Sequence, residues 1–407
     1  MTRIFFIFFV FIACYSCKDG EVVDLTEGFW LAEVEVGDKQ ILPFNFRLIR
    51  LGDDKYNIEL YNADETIKVD EIKVEGDSVI IKMPVFEGYL AGKYTAHEIN
   101  GKFVKENEAR VLPFKAIHGI KERFKRADIP ITNISGDWEV EFKPIMEKSY
   151  MAKGIFSQVD DKIYGTFRTM TGDYRFLEGI HSGDSIKLST FDGAHAYLFK
   201  ASATDSSMVG VFYSGNHSKE PFVAKRNDNF ELPNAESLTY LKKGYDKLSF
   251  SFTDAAGKLV SLDDAIFKDK VVIVQVMGTW CPNCLDETKF LVEYLKEYSH
   301  EQLAVVALAF EYAKTEEAAF RSIDRLKDRI GVKYPILLAQ YGTIDKEMAQ
   351  KKLPMLNHIL SFPTTIIIDK MGEVRKIYTG FNGPATGSNY DSFKKDFHSF
   401  IIQLLEA

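Results

Sequence analysis

Four short sequence segments occur twice in the first half of this chain, in the same order and at a nearly constant separation. The second occurrence of each lies 105 to 108 positions after the first. A constant offset indicates a duplicated module of about 100 residues, which is an ordinary size for one domain. The matched pairs are Gly28-Phe29-Trp30 with Gly136-Asp137-Trp138, Gly76-Asp77-Ser78 with Gly183-Asp184-Ser185, Phe86-Glu87-Gly88 with Phe191-Asp192-Gly193, and Pro113-Phe114-Lys115-Ala116 with Pro221-Phe222-Val223-Ala224.

Each copy has the pattern of an all-β module. Apolar and polar residues alternate through 56–60 and again through 79–85. A period of two buries one face of a strand and leaves the other in solvent, which is typical of antiparallel sandwiches and barrels. A glycine followed two positions later by a tryptophan resembles the first strand of lipocalin-type barrels. We therefore expect Trp30 and Trp138 to be buried at a barrel end, and we find no catalytic group of residues in this half.

The last part of the chain has a different pattern, in which apolar strands alternate with helical segments. Val271–Met277 is a nearly continuous apolar run, as expected for a strand buried on both faces of a sheet. Strands that alternate with helices predict an α/β sheet with right-handed crossovers. The other predicted strands are Leu303–Phe310, Thr364–Asp369 and Val374–Tyr378, and the predicted helices carry Leu291 to Tyr298, Glu316–Ile330 and Ser392–Leu405.

The 407 residues are too many for one ordinary domain, and these patterns divide them. We predict one β module at 24–125, a second at 130–228, a polar linker at 229–246 and an α/β domain at 247–407. The net charge is −8 and no cluster of Lys and Arg occurs. Because phosphate contacts need such clusters, we expect no nucleic-acid partner.

The N-terminus has the pattern of an export signal. Arg3 precedes an apolar run of ten residues from Ile4 to Ala13, which is too short to cross a bilayer but suits the core of a signal peptide. Ser16-Cys17 follows and resembles the lipobox of bacterial lipoproteins, in which the cysteine becomes the lipidated first residue. We therefore predict a lipoprotein signal at 1–17 with lipidation of Cys17. Cys14 is the alternative, and a cleaved secretory signal without a lipid is another.

The cysteine count favours a redox-active cysteine pair over a framework of structural disulfides. The chain has four cysteines, and only Cys281 and Cys284 lie beyond the N-terminal signal. An exported protein with a disulfide framework would carry more of them. The remaining pair is therefore expected to be redox-active.

The segment from Gly278 to Cys284 follows the buried strand and opens a helix. At a helix start, unpaired amide N–H groups and the helix dipole favour negative charge and can lower a thiol pKa. We expect Cys281 to be the exposed attacking thiolate and Cys284, a turn deeper, to resolve the mixed disulfide. Pro282 suits the first helical position because its missing donor costs nothing there. Trp280 is expected to form a flat apolar contact surface beside the site.

A zinc site and a structural disulfide are both weaker interpretations of the cysteine pair. A zinc site needs four ligands, and neither a second cysteine pair nor a histidine pair at ligand spacing accompanies this one. A structural disulfide would close a very short loop, where the gain in stability is smallest. We therefore expect no metal and no cofactor beyond the Cys281–Cys284 disulfide.

Residues of about 247–407 resemble the TlpA/ResA-type thioredoxin-like thiol–disulfide oxidoreductases of the bacterial envelope. The resemblance rests on the Trp280-Cys281-Pro282-Asn283-Cys284 motif, on Glu287 and on Phe362-Pro363-Thr364. It implies that Pro363 is a cis-proline facing the cysteines. It also implies that Phe362 and Thr364 flank the groove that binds substrate, with Trp280 and Pro282 nearby.

The resemblance also places an acid near the thiols. Glu287 lies three residues after Cys284, on the same helical face. A partly buried carboxyl with a raised pKa can exchange a proton with the buried thiol. Asp286 is expected to face water, and Glu311, after the second core strand, is the alternative acid.

These features favour dithiol–disulfide exchange on exported proteins, in the direction of reduction, with a second thiol protein as electron donor. The protein would be lipid-anchored in the cell envelope and face the periplasm. A thiol peroxidase of the peroxiredoxin type is disfavoured, because Val274 and Gly278 stand where that family has Pro and Thr. A binding lipoprotein with an auxiliary thioredoxin-like domain is a further alternative, since no task is assigned to the β modules.

Overall fold

The structure is a computed structural model that describes residues 24–52, 55–105, 110–125 and 127–407. The predicted lipoprotein signal at 1–17, with Cys14 and Cys17, lies outside the described residues. Within the described ranges, no helix is both long and apolar enough to cross a membrane.

The first β module forms an antiparallel sheet of nine strands among its described residues. Strand β1 pairs with both β2 and β9, and the two free edges are β4 and β5, which are consecutive in the chain. The sheet therefore curls back towards itself as an open barrel. The strands are β1 (Gly28–Glu35), β2 (Ile41–Gly52), β3 (Lys55–Asn62), β4 (Glu65–Val69), β5 (Glu71–Glu75), β6 (Ser78–Lys82), β7 (Gly88–Tyr94), β8 (Glu98–Lys105) and β9 (Arg110–His118).

The second β module closes completely. Strands β10, β11 and β12 pair in chain order, and so do β14 through β18. The ring is completed by pairing of β12 with β14 and of β18 with β10, and all of these pairs are antiparallel. A closed ring has no exposed edge strands. The strands are β10 (Gly136–Phe142), β11 (Tyr150–Val159), β12 (Lys162–Thr169), β13 (Gly172–Asp173), β14 (Leu177–Ser182), β15 (Ser185–Phe191), β16 (Ala196–Ala203), β17 (Ser207–Ser214) and β18 (Ser218–Arg226). Of the predicted sandwich or barrel, the barrel is found.

The repeated tryptophans have the same burial and the same hydrogen bond in both modules. Both Trp30 and Trp138 are fully buried, as predicted. Trp30 Nε1 donates a hydrogen bond of 2.9 Å to Thr26 O, four residues earlier. Trp138 Nε1 donates one of the same length to Ile134 O, again four residues earlier. Each ring therefore fills its barrel while its single polar group is satisfied by the chain just before the first strand.

The C-terminal part is a mixed sheet with helices on its faces, as expected of a thioredoxin-like fold. Parallel strands β21, β22 and β23 form its centre, β24 pairs with β21 in the antiparallel direction, and β25 pairs antiparallel with β24. The strands are β19 (Ser251–Thr253), β20 (Leu259–Ser261), β21 (Val271–Met277), β22 (Leu303–Phe310), β23 (Ile336–Gln340), β24 (Thr364–Ile368) and β25 (Val374–Thr379). The helices are α1 (Pro282–Glu297), α2 (Glu316–Ile330), α3 (Lys346–Lys352) and α4 (Ser388–Glu406).

The segment predicted as a linker, 229–246, packs onto the thioredoxin-like part. Its regular structure is one short 3-10 turn, Ala235–Ser237. Thr239 is buried, and its hydroxyl accepts a hydrogen bond of 2.8 Å from Thr379 Oγ1. Leu241 forms an isolated bridge with Leu356. The predicted domain boundaries themselves stay predictions.

Helix α2 joins the thioredoxin-like part to the first β module. Arg325 donates hydrogen bonds of 2.6 Å to Glu71 Oε1 and 2.7 Å to Met83 O. One turn earlier, Ser322 Oγ donates to Glu87 Oε1 at 2.5 Å. These contacts bring the first module to the same end of the sheet at which α1 begins.

The two β modules also meet each other at matched positions of the repeat. A Cβ atom on Gly88 would overlap Gly193 O, so the backbones approach more closely than any side chain allows. Asn62 Nδ2 donates a hydrogen bond of 2.8 Å to Phe191 O, and Phe191 N donates one of 3.1 Å to Asn62 Oδ1. This reciprocal pair is buried and fixes the first module against the second.

Candidate active site

The two cysteines stand where β21 ends and α1 begins. Cys281 is the N-cap of α1, with an extended backbone, and Pro282 takes the first helical position, as predicted. The Cys284 amide donates a hydrogen bond of 3.3 Å to Cys281 Sγ. Both cysteines are present as free thiols. The Cys281 sulfur thus replaces the hydroxyl or carboxylate that usually caps a helix, and it faces the positive end of the helix dipole.

Across from Cys281 lies the segment that leads into β24. The Phe362–Pro363 peptide bond is cis, as predicted for Pro363. Cys281 Sγ donates a hydrogen bond of 3.4 Å to Phe362 O. The Thr364 hydroxyl donates to Ser361 O at 2.8 Å and so closes this turn on itself. The cysteine sulfur and the backbone before the cis-proline are therefore adjacent.

Trp280 forms one wall of this site. Its indole nitrogen donates a hydrogen bond of 2.9 Å to Phe310 O, at the end of β22. Its ring lies edge-on to Phe362 and to Tyr312, with centroids 5.7 and 5.0 Å apart. These contacts hold the ring beside the cysteine, as predicted.

Two acids lie buried near the cysteines. Glu287, on α1, accepts hydrogen bonds of 2.9 Å from Gln275 Nε2 on β21 and 2.7 Å from Thr365 Oγ1 on β24. Glu311, just after β22, accepts bonds of 2.9 and 2.7 Å from the backbone and hydroxyl of Thr279. Glu287 is therefore held beneath the cysteines, whereas Glu311 holds the segment that precedes them.

Comparison with known proteins places this arrangement in a family. A family model described as Redoxin matches residues 242–393. The thioredoxin-like protein YneN of Bacillus subtilis (strain 168) is 32% identical over 140 residues, which cover 34% of this chain and 73% of that protein. The thiol-disulfide oxidoreductase ResA of Geobacillus kaustophilus (strain HTA426) is 29% identical over 131 residues, which cover 32% of this chain and 66% of that protein. This chain belongs to the TlpA/ResA-type thioredoxin-like thiol–disulfide oxidoreductases.

Solved structures show weaker overall similarity. A thiol:disulfide interchange protein, a thioredoxin family protein from Chlorobium tepidum TLS, is 22% identical and covers 40% of this chain and 98% of that chain. Its TM-score is 0.30. The sequence relatives and the family model show that this TlpA/ResA-type protein is an oxidoreductase enzyme.

The buried thiol and the buried acid of this TlpA/ResA-type protein have perturbed ionisation. Burial, the hydrogen bond with Cys281 and the nearby charges of Cys281 and Glu287 hold the pKa of Cys284 well above its ordinary value. Burial raises the pKa of Glu287 from 4.5 to about 7, and its hydrogen bonds from Thr365 and Gln275 oppose that rise. Cys284 is thus held as a neutral thiol next to a carboxyl that changes charge near neutral pH.

Glu311, the alternative acid, is perturbed in the same direction. Burial raises its pKa to about 8, against the two hydrogen bonds from Thr279. Both oxygens of its carboxyl accept hydrogen bonds from Thr279, which lies two residues before Cys281. Glu311 can therefore position the cysteine segment, but the carboxyl whose charge acts on Cys284 is Glu287.

Two expectations about exposure are wrong. Cys281 was expected to be exposed, but only 7% of it is accessible. Asp286 was expected to face water, but it is also buried and forms an ion pair with Arg175 of the second β module. Both errors have one cause, which is that the second β module packs over the start of α1.

The residues of that module which reach the site were not found from the sequence. They belong to 170–176, the connection between β12 and β14, which we call the cover loop. Asn283, inside the CPNC motif, donates a hydrogen bond of 3.4 Å to Asp173 O. The Asp173 carboxylate accepts one of 2.5 Å from Gly383 N, in the Gly-rich loop that follows β25. No local pattern signals such contacts, because their partners lie more than 100 positions apart in the chain.

Proposed function

We propose that the protein catalyses dithiol–disulfide exchange, with Cys281 as nucleophile and Cys284 as the resolving cysteine. One observation carries the proposal. The Cys281 sulfur caps α1, accepts the Cys284 amide hydrogen bond and touches the carbonyl that precedes the cis-proline Pro363. An N-terminal helix position favours the thiolate, which is the form that attacks disulfides.

In the first step, the Cys281 thiolate attacks one sulfur of a substrate disulfide. A bond forms between Cys281 and that sulfur, the substrate S–S bond breaks, and the second substrate sulfur leaves as a thiolate. In this step the backbone around Phe362, next to the cis-proline, would pair with an extended substrate segment. Trp280, Pro282, Phe362, Pro363 and Thr364 are the residues that we assign to substrate contact.

In the second step, Cys284 must lose its proton before it can attack. Its pKa is held high by burial, so a base has to accept that proton. Glu287 has its pKa raised to about 7 and is therefore partly ionised near neutral pH. The Cys284 thiolate then attacks Cys281 Sγ, the mixed disulfide breaks, and the first substrate sulfur leaves and takes up a proton. The substrate gains two electrons, and the dithiol becomes a disulfide.

The direction and the substrates follow from sequence arguments. The resemblance to acid-containing members favours reduction of substrate disulfides, with a second thiol protein that returns the cysteines to the dithiol. The predicted lipoprotein signal with Cys17 would anchor the protein in the cell envelope, facing the periplasm. Its substrates would then be cysteines of exported proteins, and the β modules would bind such a partner or a second copy.

Trapping of the mixed disulfide tests this proposal. In a Cys284→Ser variant the second step is blocked, so substrates of the first step should accumulate as covalent adducts on Cys281. Peptide mass spectrometry of adducts formed with insulin and with glutathione disulfide identifies the linked cysteine. Cys281→Ser is the matched control and should give no adduct. Absence of any Cys281-linked adduct in the Cys284→Ser variant would refute the proposal.

A further inference from the structure

The cover loop lies directly on the face at which a substrate disulfide would approach. Gly172 forms a parallel bridge with Phe381, next to β25. Ser361 Oγ, two residues before Pro363, donates a hydrogen bond of 3.1 Å to Thr171 O. The loop thereby contacts both the cis-proline turn and the Gly-rich loop on its far side.

Glycines on both sides of this contact allow the close approach. Gly172 has φ of +144°, and a Cβ atom there would overlap the Asn283 side chain. Gly380 has φ of +78°, and a Cβ atom there would overlap the backbone of Thr171. Two positions with left-handed backbones, facing each other across the contact, indicate that the sequence is adapted to it.

The reactive residues on the face that the loop contacts are almost inaccessible. Cys281 and Phe362 are each 7% exposed, and Thr364 is fully buried. A thiolate displaces sulfur from a disulfide in line with the S–S bond, so the substrate sulfurs must reach Cys281 from outside. A bulky disulfide cannot do this while the loop stays in place.

Arg175, at the end of the loop, joins all three parts of the molecule. Its guanidinium forms ion pairs with Glu65 of the first module at 2.5 Å, with Asp192 of the second at 3.6 Å, and with Asp286 on α1. The residue is 2% exposed and has a φ of +65°, a backbone conformation that is strained for a side chain of this size. This conformation is held by the ion pairs and by the hydrogen bond of 2.7 Å that Arg175 N donates to Asp173 Oδ1.

We propose that the cover loop is a lid, closed in this structure, which excludes bulky disulfides from Cys281 and is held shut by Arg175–Asp286 and by the Asp173 carboxylate. The inference rests on the proposed dithiol exchange. Apart from the Arg175 ion pair, the contacts described between loop and thioredoxin-like part are hydrogen bonds and one bridge. Opening would therefore break few apolar contacts with the thioredoxin-like part, while the Tyr174 ring, packed against Phe167 and Phe212, would remain in its own barrel.

Thiol modification of the reduced full-length protein tests the lid without turnover. The rates at Cys281 are measured by peptide mass spectrometry with iodoacetamide and with a maleimide on a long polyethylene glycol chain. Asp173→Ala removes the acceptor of the Gly383 amide. It should raise the rate with the bulky reagent about tenfold, since one charge-assisted hydrogen bond between the loop and the thioredoxin-like part is lost, and change the iodoacetamide rate much less.

Asp184→Ala is the matched control, because Asp184 lies in the β14–β15 turn of the same module and bonds Ser202 instead. It should react like the wild type. Equal rates with the bulky reagent in the wild type, Asp173→Ala and Asp184→Ala would overturn the lid.

Hydrogen exchange provides a second test with the loop sequence unchanged. In the Cys284→Ser variant, a mixed disulfide with insulin should expose the amides of 170–176 to exchange. A mixed disulfide with glutathione should do so less, and β17 serves as an internal reference. An insulin adduct with the loop still protected would refute the lid. Failure to form either adduct would instead refute the proposed function. The thiol-modification rates would still show whether the cover loop shields Cys281.

Discussion

At the scale of single residues, the two buried acids both have a raised pKa but have different roles. Glu287 acts on the buried thiol, whereas Glu311 holds Thr279. We predict that Glu287→Gln slows resolution of the mixed disulfide about 10²-fold or more, because general-base assistance is lost. It should also remove the ionisation near pH 7 from the pH profile of that step.

Rapid-mixing measurements of resolution across pH 5 to 9 check this prediction. Glu311→Gln is the control and should keep the ionisation near pH 7, since the Glu287 carboxyl is intact. Retention of that ionisation in Glu287→Gln would show that another group provides it.

The same acids predict how stability depends on pH. The pKa of Glu287 in the fold, about 7, lies above its ordinary value of 4.5, so the folded state favours the protonated form. The stability that this group provides is complete below pH 4.5 and is lost as pH rises to about 7. The loss amounts to about 3 kcal/mol for a fully buried carboxyl.

Urea unfolding at pH 4.5 and pH 7.5 checks this second prediction. The free energy of unfolding should fall less between these values in Glu287→Gln than in the wild type. The same fall in both proteins would mean that this carboxyl does not carry the raised pKa.

At the scale of elements, long periodic segments of the α/β part could be predicted to the residue. Strands β21 and β22 and helix α2 have the predicted bounds. Helix α3 was missed because its sequence is almost entirely polar and only Ala349 is buried, so it has no apolar periodicity. Strand β23 was missed because five residues are too few to separate a strand from other buried segments.

The repeated tryptophans give a prediction at this scale. Trp30→Phe and Trp138→Phe each remove an indole N–H bonded to a backbone carbonyl and leave a smaller ring in a closed space. We expect each to lower the free energy of unfolding by about 1–3 kcal/mol. Urea denaturation followed by circular dichroism measures both. A loss in one variant and none in the other would show that the two copies are not energetically equivalent.

At the scale of the whole molecule, the packing of the modules could not be predicted. The cis peptide bond before Pro363 and the buried position of Glu287 agree with what the resemblance implied. The lid was missed because Arg175 and Asp286 lie in parts that the sequence patterns treat as separate. Contacts between modules depend on matched surfaces, and one sequence contains no periodic signal for these.

The ion pairs that join the modules should differ widely in strength. Arg175→Met leaves buried carboxylates without a counter-charge, and we expect a loss of about 3–5 kcal/mol in the free energy of unfolding. Arg329→Ala removes more exposed pairs with Asp70 and Glu71 and should cost about 1 kcal/mol or less. Fluorescence-detected denaturation measures both, since one tryptophan lies in each module and one at the active site. Similar losses in the two variants would contradict this ranking.

The central claim is that Cys281 and Cys284 form one redox pair with unequal roles, and steady-state reduction of glutathione disulfide tests it most directly. With dithiothreitol as electron donor, the wild type should turn over continuously. Cys281→Ser should be about 10²-fold slower or more, because it has lost the nucleophile. After removal of dithiothreitol, reduced Cys284→Ser should consume one equivalent of glutathione disulfide and stop as the Cys281–glutathione adduct, whereas reduced wild type should end as the Cys281–Cys284 disulfide. Turnover at the wild-type rate by Cys281→Ser would contradict the account.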